Sequence, residues 1–345
     1  MDVAARAGVS IASVSRHLRG HNVRRAEAID QAVAALAYRP SIAARSLQSG
    51  VTRTIGVVVP DIVNPYFAAV VKGAELVSRG AAYTLVLCNT DEDPRREAKV
   101  LESLDGRIDG LLLGPVTEHS ETTEGLRQMG IPIVLIDRRV GTPMGFDCVL
   151  VDNHGGARRA IEYLVGLGHR RIGLISGPLE STPGRERHEG AISALKDAGI
   201  EQEPDLIQIG DFRTPGGYQA ALRLLALSCP PTAIFAANNM MTVGALRAFH
   251  DTRVRVPGEL SFVGFDDLLL GELLEPGLTC VDRPTEEQGA LAMRLLLGSL
   301  DGRPASEPRQ IIMETTLKVR GSCGPPRGSG VVRFGDGDAV ALGRR

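Results

Sequence analysis

Hydrophobic and polar positions follow two textures along the chain. From residue 54 onward, short runs are apolar throughout: Ile55–Val59, Thr84–Cys88, Gly110–Leu113 and Ile133–Ile136. Between them lie longer amphipathic stretches, Tyr66–Arg79, Pro94–Leu104 and Thr123–Met129. The alternation predicts β-α-β-α units. Strands with no polar face are what a parallel sheet covered on both sides requires. A linking stretch, Val149–Asp152, leads to a helix over Gly156–Leu167, and a second series begins. It runs Arg171–Ile175, Arg185–Ala198, Leu206–Ile209, Gly216–Leu227, Ala233–Phe235, Met241–His250 and Ser261–Val263. A helix over Glu287–Leu300 and an extended segment over Gln310–Val319 close it. The expected fold class is α/β, with two doubly wound subdomains. Open sheets of this kind bind ligands beyond the carboxyl ends of their strands. Two such edges facing each other make a clamshell.

The first fifty residues carry a different pattern. Asp2–Ala7 is a brief helical stretch stopped by Gly8. Ser10 is a suitable N-cap for Ile11–Leu18, and Gly20 follows that segment. Ile29, Val33 and Leu36 give a third helix, about 26–37, its apolar stripe, and Pro40 closes the unit. Residues 41–50 form one more Ala-rich segment. It is shorter than the ~12–15 residues at which an isolated helix becomes marginal. After Cys323 the pattern is lost in a stretch rich in Gly, expected to be a flexible tail.

Composition adds three exclusions. Apolar residues at 43% and charged residues at 23% are those of a folded domain, not of a disordered or coiled-coil chain. No apolar run reaches the ~18 residues of a membrane span, and no secretory leader pattern opens the sequence. The five cysteines (Cys88, Cys148, Cys229, Cys280 and Cys323) are far apart and form no C-x-x-C. That points away from a zinc site or disulfide framework and toward a reducing cytoplasm; neither a metal nor a cofactor is implied. Charge adds a further point. The net −2 conceals seven Arg against three acids in residues 1–50, and 32 basic against 38 acidic groups in the rest. A basic segment on an acidic body suits a nucleic-acid-binding module, though a basic surface without a partner has the same arithmetic.

The turn Gly8-Val9-Ser10 between short helices fits a helix-turn-helix, and equally an ordinary helical hairpin. The wider motif is more specific. Asp2-Val3-Ala4-Ala5-Arg6-Ala7-Gly8-Val9-Ser10-Ile11-Ala12-Ser13-Val14-Ser15-Arg16 resembles the headpiece of the lactose-repressor (LacI/GalR) family of bacterial transcription regulators. Tyr38-Arg39-Pro40, Ala44-Arg45-Ser46-Leu47 and Thr54–Asp61 continue the resemblance. So do Asn64-Pro65-Tyr66-Phe67, Leu167–Ile172 and Val263-Gly264-Phe265-Asp266-Asp267. It spans about residues 1–322, in family order.

The resemblance implies four parts. They are a helix-turn-helix headpiece (1–40), a hinge helix (41–50), an effector-binding clamshell similar to periplasmic binding proteins (51–323) and a tail (324–345). Within the clamshell the first subdomain would take about 53–155 plus 285–308, and the second about 156–284 plus 309–322. On DNA, Ser10, Ile11, Ala12, Ser13, Ser15 and Arg16 would lie at the major groove, with Arg16 suited to the acceptors of guanine. Ser41, Ala44 and Leu47 of the hinge would meet the minor groove, Leu47 as a wedge. By residue type alone, Leu47 is equally a helix-packing residue. Tyr66, Phe67, Asp137, Arg187, Phe212, Asn238 and Asp266 would line the effector cleft. Carboxylates, an amide, a guanidinium and aromatic rings suit a sugar. Taken singly, Asp137 could cap a turn and Phe212 could be core. Departures from the family's pattern fall at Arg19, Arg24, Ser41 and Asn239, and no capping residue precedes the first helix, so a start a few codons upstream is expected.

The implied protein is a ligand-responsive repressor acting as a homodimer on operator DNA. A solute-binding transport protein shares the clamshell, but needs a leader and no basic headpiece. A Rossmann enzyme needs a glycine fingerprint after its first strand, where Pro60-Asp61-Ile62-Val63-Asn64 stands instead.

Overall fold

The computed structural model describes residues 2–18, 20–38, 50–118, 120–141, 145–302 and 307–326. The chain divides into two compact units, Met1–Thr52 and Arg53–Arg345.

The small unit contains α1 (Asp2–Ala7), α2 (Ile11–Leu18) and α3 (Ala26–Ala35). Val3, Ala4 and Ala7 of α1 close on Val14 of α2 and on Ile29 and Ala32 of α3. The α1–α2 turn depends on Gly8, at φ 62°, a region that costs a side-chain-bearing residue energy. The Val9 N–H then donates back to the Ala4 carbonyl at 3.1 Å. Ser10 caps α2 by accepting the Ser13 N–H at 3.2 Å. The cap of α3 is Arg25, one residue later than the family pattern places it. It has φ 69° and no side-chain cap bond, and its guanidinium instead donates to the Gly8 carbonyl at 3.3 Å. The hinge segment 41–49, with Ser41, Ala44 and Leu47, lies outside the described residues.

The large unit holds two six-stranded sheets. The first lobe comprises β1 (Thr54–Val59), α4 (Pro65–Gly80), β2 (Thr84–Asn89), α5 (Pro94–Leu104), β3 (Gly110–Leu113), α6 (Ser120–Gln128), β4 (Ile133–Ile136) and β5 (Asp147–Val151). The second follows with α7 (Asn153–Gly166), β6 (Ile172–Ser176), α8 (Thr182–Asp197), a 3₁₀ turn (Pro204–Leu206) and β7 (Ile207–Ile209). Then come α9 (Thr214–Leu225), β8 (Ala233–Ala236), α10 (Asn239–Thr252), β9 (Ser261–Phe265) and β10 (Thr279–Asp282). The chain returns to the first lobe for α11 (Thr285–Leu300) and β11 (Gln310–Met313), and ends in the second with β12 (Thr316–Lys318).

Strand order is β11-β5-β4-β3-β1-β2 in the first sheet and β12-β10-β9-β8-β6-β7 in the second. Every pairing is parallel except β10 with β12. In both sheets the order reverses beside the first strand, the switch point at which α/β sheets open a crevice.

Two expectations are corrected. Gln310–Val319 is not one segment of the second subdomain. Gln310–Met313 pairs with β5 of the first sheet and Thr316–Lys318 with β10 of the second. The last crossover therefore falls after Met313, and the first-lobe share extends beyond 308. Periodicity could not show this, because two strands in different sheets separated by two residues look like one. The tail also starts later than 324. The Gly324 carbonyl accepts from Ser261 Oγ at 2.9 Å, and its N–H donates back to Ser261 Oγ at 3.0 Å. Residues 327–345 lie outside the described residues.

Close helix packing is set by glycines. A Cβ on Gly73 of α4 would fall 1.9 Å from the Glu286 carbonyl oxygen of α11. One on Gly289 of α11 would fall 1.9 Å from that of Val70. These reciprocal glycines let the two helices meet backbone to backbone over the apolar cluster of Ile55, Val57, Val70, Met293 and Leu296.

Candidate functional site

The cleft runs between the carboxyl ends of the two sheets. Apart from Arg187, the lining side chains expected from the sequence follow a strand or start the next helix. After β1, Asn64 caps α4, its Oδ1 accepting the Tyr66 N–H at 3.0 Å and, across the cleft, Asn239 Nδ2 at 2.8 Å. Asp137 follows β4, Phe212 follows β7, and Asp266 follows β9, with φ of 67°, 61° and 71°. Left-handed backbone at three non-glycine residues costs on the order of 1–3 kcal/mol each and turns each side chain inward. Asn238 follows β8 and caps α10, accepting the Met241 N–H at 2.8 Å. Arg187 enters from α8.

All seven cleft residues expected from the sequence, Tyr66, Phe67, Asp137, Arg187, Phe212, Asn238 and Asp266, line this one space. Their settings differ. Phe212 lies over Gly177, where an added Cβ would sit 2.1 Å from its ring. The Tyr66 hydroxyl donates to Gln288 Oε1 at 2.9 Å, and Gln288 Nε2 donates to the Val149 carbonyl at 2.9 Å. One face of the Tyr66 ring is covered by the Arg283 guanidinium, 3.4 Å from the centroid. Tyr66 thus forms the wall behind Arg283 and its own face is taken.

Three arginines missed in the sequence reading or understood there only in part dominate the electrostatics. Arg283 forks onto Asp266, at 2.5 and 3.1 Å, and reaches Asp137 Oδ1 at 2.6 Å. Arg138 is held by Glu92 at 2.5 and 2.7 Å. Arg187 donates through Nε to Asn153 Oδ1 at 2.8 Å and through Nη1 to the Ala237 carbonyl at 2.6 Å. Its guanidinium stacks on Phe265 at 3.8 Å. The nearest carboxylate oxygen, on Asp266, is 4.0 Å away, and Nη2 is buried with no hydrogen bond.

The titration behaviour follows. Burial pushes the Asp137 carboxyl up, but Arg283, Arg187 and Arg138 outweigh it and hold the group below the usual carboxylate range. Arg187 is pulled down to about 10 by burial first and by the neighbouring Arg283 second. Arg283 is pushed the other way: burial lowers it, and Asp266, Tyr66 and Asp137 together raise it further.

A hydrogen bond and two ion pairs, among others, join the lobes at the rim. Arg213 donates to the Asp91 carbonyl at 2.7 Å, Arg185 pairs with Glu118 at 2.8 Å, and Arg139 pairs with Glu186. The cavity left between the walls is about 20 Å³, close to what one or two waters need, so the walls stand nearly in contact.

Arg283 escaped sequence reading because it sits on a crossover between lobes, 146 residues from Asp137. Its only local signal was a polar residue directly after an apolar strand. Arg138 carried a similar signal, next to Asp137.

In the small unit, Ser10, Ile11, Ala12 and Arg16 are exposed on one side of α2, with Val14 turned into the core. Ser13 and Ser15 are half-buried, and the Ser13 hydroxyl pairs with that of Ser10 at 3.0 Å. The Arg16 side chain bonds to no other described residue.

Comparison with known proteins agrees with this geometry. Residues 161–323 match the periplasmic binding protein-like domain. The chain is 35% identical over 329 residues to the ribose operon repressor of Escherichia coli (strain K12), covering 93% of this chain and 98% of that one. Among solved structures it is similar to the complex of the transcriptional regulator CelR with cellobiose, with TM-score 0.73, 33% identity and coverage of 93% and 98%. The lac repressor dimer bound to operator and the anti-inducer ONPF shares the fold, with TM-score 0.80 at 24% identity over 94% and 98% of the two chains.

Proposed function

Because the chain belongs to the lactose-repressor (LacI/GalR) family of bacterial transcription regulators, which are not enzymes, we propose that it is a cytoplasmic repressor whose operator affinity is set by a sugar or sugar derivative in the cleft. One observation carries the reading. Seven residues spread over two hundred positions converge, from both lobes, on a single space that offers carboxylate acceptors, an amide and a buried guanidinium with an unused donor. A buried cation nitrogen left unbonded is costly, and an effector oxygen at Arg187 Nη2 removes that cost. The cleft closes around hydroxyls by the same logic: Asp137 and Asp266 accept, Arg187 donates, and Phe212 covers an apolar face.

The DNA side of the proposal rests on α2. Arg16, unpaired and exposed beside Ala12, presents a fork that matches the O6 and N7 acceptors of guanine. Residues 41–50 are the hinge of this proposal, with Ser41, Ala44 and Leu47 as its contacts to the minor groove.

The repressor acts as a homodimer, since one headpiece offers too little surface for specificity. Two apolar surfaces support a second copy as partner. Strand β2 was expected to be covered on both faces, yet it is the outermost strand of its sheet, with Val86 and Leu87 exposed. An open edge of this kind invites pairing unless it is covered. On the second lobe Leu269, Leu270 and Leu273 stand exposed together, Leu269 at 89%. Apolar clusters of this kind mark association surfaces.

The testing experiment selects bound DNA from a random pool with the full-length protein, with and without a panel of pentoses, hexoses and disaccharides. The expected result is a two-fold symmetric site whose recovery changes with one sugar. Enrichment of no sequence would refute the DNA half. A clear operator indifferent to the whole panel would refute the sugar half.

A further inference from the structure

Deep in the cleft, Arg283 pairs at hydrogen-bond distance with carboxylates of two different lobes. It leaves β10 on the second crossover, so its backbone belongs to neither sheet. Its guanidinium nonetheless holds a carboxylate from each lobe, Asp137 at 2.6 Å and Asp266 at 2.5 and 3.1 Å. All three side chains are more than nine-tenths buried. Two carboxylates in a poorly solvated space repel each other and resist joint ionisation. A planar fork lying between them, seated on the Tyr66 ring, meets both geometries at once, as an ammonium could not.

We propose that Arg283 is a specificity-determining residue of the cleft, a tethered cation that occupies the place between the two lobes' carboxylates that a cationic ligand would take. The proposal rests on the reading of the cleft as the effector site. With the guanidinium in place, Asp137 and Asp266 act only as acceptors, so the cleft selects neutral hydroxyl donors and excludes amino sugars and other cations. Shortening the side chain while keeping both acids converts the cleft into a site for a small cation.

The test uses full-length Arg283→Ala and thermal unfolding with methylguanidinium or with methylurea, its neutral near-isostere. The variant should melt below the wild type. Methylguanidinium should raise its Tm, by mass action on the folded state, and leave the wild type unmoved. Methylurea should raise neither. The triple variant R283A/D137N/D266N lacks both facing carboxylates and should be blind to methylguanidinium and at least as stable as R283A. If R283A alone is insoluble, recovery of soluble protein in the triple variant is the same result. The proposal is overturned if R283A responds to both additives alike or to neither, if the triple variant responds as the single one does, or if both are insoluble. None of these measurements involves sugar or operator. Their failure leaves the effector reading intact, and an effector screen that finds no sugar leaves the guanidinium result standing.

Discussion

Replacing Arg187 with methionine separates a ligand-facing cation from a structural one. Arg187 is fully buried, and its position at about 10, against an ordinary 12.5, measures how much the folded state resists the charge. Each unit is worth about 1.4 kcal/mol, so the charged side chain costs the fold roughly 3 kcal/mol at neutral pH. Methionine removes that cost, fills similar volume and keeps a favourable contact with the Phe265 ring. Against this, Asn153 Oδ1 and the Ala237 carbonyl lose a donor, at about 1–3 kcal/mol each. The opposing effects are comparable, so Arg187→Met should change unfolding free energy by between about 1 kcal/mol of gain and about 3 kcal/mol of loss. Effector response, read as the change in operator affinity with the sugar found in the selection experiment, should vanish. Urea unfolding and a DNA-binding titration check the two halves. A loss above about 4 kcal/mol, as when a buried ion pair is broken, together with retained effector response, would show that Arg187 is a core cation and refute the reasoning.

Arg16→Ala should lower operator affinity by about 1–3 kcal/mol while leaving binding to random DNA nearly unchanged; equal losses on both would make Arg16 a phosphate contact. Glu97 is buried, its Oε2 accepts the Val116 N–H at 2.7 Å, and burial raises its carboxyl from 4.5 to about 7. The native state therefore holds a proton that the unfolded chain releases between those values. Wild-type stability should fall as pH rises from about 4.5 to about 7, and Glu97→Gln should lack this fall and exceed the wild type by up to about 3 kcal/mol at pH 8. Unfolding free energies across pH check it, and identical pH profiles would count against it. Gly289→Ala places a methyl 1.9 Å from the Val70 carbonyl and should cost about 1–3 kcal/mol or more, read as a lowered Tm; an unchanged Tm would mean α4 and α11 part freely.

What the sequence made legible has a common physical basis. Strands buried on both faces, such as Ile55–Val59 and Ile133–Ile136, announce themselves because no polar side chain can survive there. Cleft residues at strand ends were legible one by one through a family pattern, and the fold then brought them together. Pairing across the cleft was not legible. Nothing near Arg283 in the chain reports that it lies against Asp137 and Asp266, or that it covers one face of the Tyr66 ring. Local polarity does carry helix starts: Asp152 caps α7 by accepting the Gly155 N–H at 2.8 Å, so the helix begins at Asn153, three residues before the start expected from apolar spacing.

The three passages between lobes also bear on how the protein is made. On a ribosome, the first five strands of the first lobe emerge well before α11 and β11, which follow only after the whole second lobe. At roughly 5–20 residues per second that interval is on the order of ten seconds. Throughout it, the apolar surface that Ala292, Met293 and Leu296 will cover stays open to water, and β5 has a free edge where β11 will pair. The second lobe, by contrast, lacks only the short strand β12 and the segment that follows it to Gly324 when it leaves the tunnel. The half made first is therefore finished late, and during translation it is the half most in need of a chaperone's cover.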